Sequence, residues 1–246
     1  MKVLHLSLPA LILIATAFTV NGNAIEAPPP PPTPAPPLFM PVSEGQTERI
    51  PPIEKLGNGE YRLGEILVNK AERSISFPAQ VNMDSGMLEY LIVHNKGKTH
   101  ESLLRTRIEP YNLQIALLLL GFEGSDQRLA MQGDPATPKG ERIRISISTA
   151  EGQKPMVFPV EQWLVNRFDE VLKDVETMNW VFSGSYVVDG RFMAQETGSI
   201  AAIWHDPVAL IDNASPGGES NRIWYVKKGT VPAVGTPVKV IIKPAQ

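Results

Sequence analysis

The chain has no cysteine among its 246 residues. That absence excludes disulfides, thiolate-ligated zinc, iron–sulfur clusters and a lipid-bearing cysteine at a signal cut. Histidine is scarce as well, with four copies, so any imidazole-based metal site has few ligands to draw on. Basic residues are outnumbered, 23 Lys and Arg against 26 Asp and Glu, for a net charge of −3. With no basic cluster in addition, nucleic acid is excluded as the expected partner. Gly57, Gly59 and Gly64 lack the G-x-G-x-x-G spacing, and neither G-x-x-x-x-G-K-[ST] nor a G-x-S-x-G elbow occurs. No repeat recurs at a fixed period.

What is present begins with an export pattern. Lys2 supplies a short positive start, Val3 to Val20 is mostly apolar, and Gly22-Asn23-Ala24 places small residues three and one before a cut. This predicts a signal peptide over residues 1–24, cleaved after Ala24, with an uncleaved anchor as the alternative. Its removal leaves 22 basic against 26 acidic residues, a charge of −4, and no further membrane span. Pro28 to Pro37, PPPPPTPAPP, predicts a polyproline II spacer of roughly 3 Å per residue, within a Pro-rich linker over 25–52. Residues 53–246 then read as one domain, and 43% hydrophobic against 20% charged residues supplies one sizeable core.

Met87 to Gly121 is the centre of that domain. Met87 to His94 is apolar on both alternating faces, as in a strand covered from two sides. Asn95 to Lys98 turns the chain, and His100 to Glu109 alternates, with His100, Ser102, Leu104, Thr106 and Ile108 predicted inward. Pro110 and Gly121 bracket a helix whose Ile115 to Leu120 is apolar all round and is expected to be enclosed. Further strands are predicted at Tyr61–Asn69, Ser74–Val81, Glu141–Thr149, Trp180–Val188, Arg191–Gln195, Ser199–Trp204, Arg222–Val226 and Pro237–Ile242. Asp189-Gly190 signals a two-residue hairpin, and Pro78 marks an edge or bend. Val160, Trp163, Leu164, Phe168, Val171, Leu172 and Val175 recur at spacings of three and four, predicting a second helix over Val160–Val175. Asp206-Pro207 predicts a short capped helix to Ile211. The expected fold class is α+β: a mainly antiparallel sheet with two main helices packed on one side.

The densest polar group is Thr99-His100-Glu101-Ser102. A serine nucleophile needs a base within about 3 Å and a third group to orient it. His100 and Ser102 share a strand face, but their alpha carbons are expected about 6.6 Å apart with Glu101 pointing away. His100, Glu101 and Ser102 are the catalytic candidates, against a simpler role satisfying backbone groups. His94, His100 and His205 are weak metal candidates without an established zinc spacing. Asp206 beside His205 reads as a helix cap, and no cofactor is expected.

The strings GKTHESLLRTRIEPYNLQIALLLLGFE, NWVFSGSYVVDGRFMAQETGSIAAIWHDPVALIDN and VPAVGTPVKVIIKP resemble the YdjY-type domain family of exported bacterial proteins, over roughly Leu56 to Pro244. The resemblance implies an envelope domain and no particular reaction, and it places any site near His100, Glu101 and Ser102. Some relatives carry ferredoxin-like labels, from which a chain without cysteine departs. The expected function is a periplasmic or secreted, non-catalytic module that binds an unidentified envelope protein or ligand. The rival is a hydrolase or metal-dependent enzyme using the His100-Glu101-Ser102 segment.

Overall fold

A computed structural model describes residues 51–149 and 155–245. The expected signal peptide and the expected linker up to residue 50 lie outside the described residues. Four strands open the domain: β1 (Ile53–Gly57), β2 (Glu60–Leu63), β3 (Ile66–Asn69) and β4 (Ser74–Val81). They are followed by β5 (Tyr90–His94), β6 (Ser102–Thr106) and the helix α1 (Pro110–Leu119). Next come β7 (Glu141–Thr149), β8 (Met156–Pro159), β9 (Leu164–Asn166), β10 (Lys173–Asp174), β11 (Trp180–Phe182), β12 (Val187–Val188) and β13 (Arg191–Phe192). The single-turn helix α2 (Met193–Thr197) precedes β14 (Ser199–Ala202), β15 (Ile211–Asn213), β16 (Trp224–Val226) and β17 (Pro237–Pro244).

Eight of these strands close on themselves in the order β4-β17-β7-β11-β15-β14-β5-β6, and β6 returns to β4 through Gln80↔Arg105 and Val81↔Leu104. The fold is therefore a β-barrel, which corrects the expected α+β sheet with two main helices on one side. Closure removes the free edges that an open sheet would leave. Every barrel strand contributes to one core, with Phe77, Val240, Ile145, Phe182, Ile211, Ile200, Ile92 and Leu104 all buried in it.

Pro78 sits where β4 changes its outer neighbour. Ser74 to Ser76 pair with β3 and Gln80 to Val81 with β6, so a residue without an N–H falls between the two ladders. The Thr106 hydroxyl donates to the Pro78 carbonyl at 2.7 Å and fastens that junction. The predicted strand Tyr61–Asn69 is a hairpin instead: β2 and β3 pair antiparallel around Gly64, whose φ is 59°.

The second predicted helix is absent. Val160 to Trp163 form a 3₁₀ turn, β9 and β10 follow, and β9 lies between β10 and β16 in a separate three-stranded sheet. The apolar spacing was matched only at its ends: Val160, Trp163, Leu164 and Val175 are buried, while Val171 and Leu172 are 60% and 56% exposed. Glu170 at φ 61° reverses the chain between β9 and β10, a backbone state that interrupts a helix. Asp206 does cap a turn, accepting the Val208 N–H at 3.1 Å, but the chain enters β15 at Ile211 rather than a helix.

Two neighbouring pairs are parallel, β5 with β6 and β14 with β15. Parallel partners require the chain to run back over the sheet before the second strand starts. The two return segments, 95–101 and 203–210, therefore cover the outside of β5 and β14. Tyr90, Val93, Ala202 and Ala209 form a small apolar cluster there, apart from the main core. This is why every residue of β5 is buried, as its two apolar faces predict. In α1, Leu113, Ala116 and Leu117 are buried, whereas Leu119 faces solvent, so the expected enclosure is incomplete. Asp189 and Gly190, at φ 49° and 75°, form the predicted tight turn joining β12 to β13.

Candidate functional site

The return segment after β5 ends in a 3₁₀ turn, Thr99 to Glu101, which lifts His100 into solvent with its side chain 79% exposed. Its Nε2 lies 3.5 Å from a Glu101 carboxylate oxygen. Ser102 begins β6, is fully buried, and donates its hydroxyl to the Leu104 carbonyl at 2.8 Å. In this arrangement Ser102 satisfies backbone and faces no base. His94, at the far end of β5, accepts the Lys96 N–H on Nδ1 at 3.3 Å and stands 4.0 Å from Glu109. Burial pushes its pKa down, the nearby Glu109 opposing. His205 is wedged between two carbonyls, Asp134 O at 2.7 Å from Nδ1 and Asn213 O at 2.9 Å from Nε2. The three histidines are thus separately engaged, and among the described residues no group of three or more His, Asp or Glu side chains is arranged to hold a metal ion.

Glu101 and Asp206, by contrast, are joined by groups that sequence reasoning assigned to packing and turns. The Tyr90 hydroxyl donates to Asp206 Oδ2 at 2.7 Å, and Lys98 Nζ lies 2.9 Å from the same hydroxyl and 5.0 Å from the ring centre. Gln132, from the long loop between α1 and β7, donates to Tyr90 at 3.1 Å and accepts from Lys98 at 3.3 Å. Lys98 also stands 4.0 Å from Glu101. Burial first, and the Asp206 charge second, push the Tyr90 phenol far above its ordinary range, so it stays protonated and acts as a hub rather than a base. Burial and the adjacent Glu89 raise the pKa of Glu101, and Glu89 in turn accepts from Asn221 at 2.9 Å. The signal in the sequence was Tyr90 itself: a tyrosine on a strand buried from both sides needs a partner for its hydroxyl.

Below this network, Asp212 accepts the Asp206 and Asn213 N–H groups at 3.0 and 2.8 Å. Burial nevertheless raises its pKa well above the usual carboxyl value, with those two donors opposing. The native state thus keeps a proton that the unfolded state releases at lower pH. Stability is expected to fall as pH rises from the unfolded carboxyl value through the folded one. Glu101 and Glu161 add slopes of the same sign. Urea midpoints of Asp212→Asn between pH 4 and 8 should therefore decline less steeply than those of the wild type, and an unchanged slope would refute the assignment.

A cleft of about 950 Å³ lies elsewhere, between β8, β9, β10 and the segment after β16. Phe158 and Trp163 meet edge to face at 5.3 Å in its wall. Glu161 is buried in the wall and accepts the Trp180 indole N–H at 3.1 Å and the Met178 N–H at 3.3 Å on one oxygen. Burial raises its pKa, with these donors opposing. Asp174 pairs with Lys227 at 2.7 Å, and Glu176 adds a further acid. The buried Thr149 hydroxyl, also in the lining, has no hydrogen-bond partner among the described residues. In the sequence Trp163, Leu164 and Val175 read only as one face of the predicted helix, and no motif marked the cleft, because its parts come from four separate stretches of chain.

The YdjY domain matches residues 66–243. No curated protein and no solved structure matches the chain.

Proposed function

Because the chain belongs to the YdjY domain family, we propose that it works in the bacterial envelope as an exported, non-catalytic binding module. The supporting observation is the contrast between two places. The His100-Glu101-Ser102 segment presents no nucleophile beside a base, since Ser102 is buried and spends its proton on Leu104. The cleft of about 950 Å³, at the upper end of the roughly 300–1,000 Å³ usual for ligand sites, combines aromatic walls with a few fixed carboxylates. Export rests on Lys2, the apolar stretch to Val20 and the small residues before Ala24.

Two measurements test this reading. Cell fractionation should find the chain in the periplasm or medium, and pull-down from envelope extract should recover a partner at constant stoichiometry. Recovery of nothing across a range of salt, or retention in the cytoplasm, would overturn it. Fluorophosphonate should leave the protein unlabelled; labelling lost on Ser102→Ala would establish the hydrolase instead.

A further inference from the structure

Resting on the binding-module reading, we propose that the occupant of the cleft is an extended peptide of alternating basic and apolar residues, added as a strand along β8. Among the described residues, β8 pairs with β7 on one side only, through Thr149↔Met156 to Ser146↔Pro159, and β10 pairs only with β9. Both strands line the same cleft, so two incomplete ladders border one opening. Open edges are ordinarily blunted by short strands, proline, lysine, inward charge, bulges or covering loops, and of these β8 has its shortness and its terminal Pro159. β8 reads MVFP and has no charge; only its last residue, Pro159, lacks a donor. Met156 and Val157 are instead 53% and 59% exposed along that edge. An apolar strand left this way is a template for main-chain hydrogen bonds with an incoming segment, with alternate side-chain pockets supplying selectivity.

The charge of the lining selects the segment. Glu161, Asp174 and Glu176 face one cation, Lys227, which is already paired to Asp174. The surplus is acidic: Glu176 is exposed at the mouth, and the Glu161 carboxyl is buried in the wall. Side chains of an extended peptide point alternately to opposite faces. One set then meets Phe158 and Trp163 while the other reaches the carboxylates. An acidic peptide would place like charges against them.

The test uses the purified full-length chain and fluorescein-labelled, end-capped decapeptides read by anisotropy. A peptide alternating Lys and Val should bind, and its counterpart with Glu in place of Lys should bind at least tenfold more weakly. N-methylation of alternate backbone amides, which keeps charge and side chains but removes ladder donors, should weaken binding at least tenfold in one of its two registers. Glu176→Lys, at an exposed position that leaves the core intact, should weaken the Lys–Val peptide at least threefold. Equal affinity for the acidic peptide, or indifference to N-methylation in both registers, would overturn the proposal. So would displacement of the peptide by 1,5-diaminopentane at matched charge concentration, which would mark a small-amine site. So would a dimer in sedimentation that dissociates on adding peptide, which would make a second copy the occupant. If peptides fail while envelope pull-down still recovers its partner, strand addition falls and the binding-module reading stands; if both fail, both fall.

Discussion

Gly140→Ala is expected to yield almost no folded protein. Gly140 enters β7 at φ 150°, and a Cβ there would lie 2.1 Å from the Phe182 carbonyl oxygen and 2.6 Å from its carbon. Those atoms are backbone, so no side chain can swing aside. β11 is three residues long and bridges β7 to β15, with Phe182 opposite both Glu141 and Ile211. Moving it away from the new methyl opens the barrel on both sides. A loss of about 4 kcal/mol or more follows, in the range reserved for backbone collision in a core. Gly121→Ala provides the contrast: its φ is 74° but nothing stands within 4 Å of the added atom. There the cost is only the left-handed strain of about 1–2 kcal/mol. Soluble yield and urea midpoints of the two variants check the argument, and a Gly140→Ala protein as stable as Gly121→Ala would refute the close approach.

Trp180→Ala is expected to cost nearly as much, through a different mechanism. The indole is 1% exposed and is the largest fully buried side chain. Removing such a group leaves a cavity worth about 3–5 kcal/mol. It also takes away the N–H that Glu161 accepts at 3.1 Å, leaving a buried carboxyl short of a donor at about 1–3 kcal/mol. Trp180→Phe separates the two contributions, since it keeps most of the apolar volume and loses the donor. Its stability should fall less, and the Glu161 pKa should rise further because one of its opposing donors has gone. Urea titration at pH 5 and pH 8 reads this directly: the Phe variant should lose more stability than wild type between those values. An identical loss would show that the indole N–H does not hold the carboxyl.

These two positions also show how unevenly the fold could be read beforehand. Glu141–Thr149 and Ser74–Val81 emerged with their predicted bounds because one residue in two must face the core, and that period survives any tertiary arrangement. The Asp189-Gly190 turn was legible for a local reason too, since both residues take positive φ. Val160–Val175 was misread because a 3₁₀ turn and two short strands present apolar groups at spacings that a helix also produces. Only the pairing of β9 with β10 and β16 distinguishes them. The candidate site divides in the same way. His100, Glu101 and Ser102 were visible as neighbours in sequence, but a turn sends one into solvent and a strand start sends another into the interior.

The sequence by itself determined a cysteine-free chain with an apolar middle, the faces of its long strands, its tight turns, and the family to which residues 66–243 belong. These depend on composition, on period two and on local backbone preference, all of which are properties of short stretches. Tertiary structure alone decided that the sheet closes, that β5 and β14 have parallel partners, and that Lys98, Gln132, Tyr90 and Asp206 meet. It alone also set the Glu161 carboxyl against the Trp180 indole N–H in the wall of a cleft. Each of those depends on bringing distant segments together, and that is settled by burial and ladder pairing summed over the whole chain, with no local signature for a sequence to display.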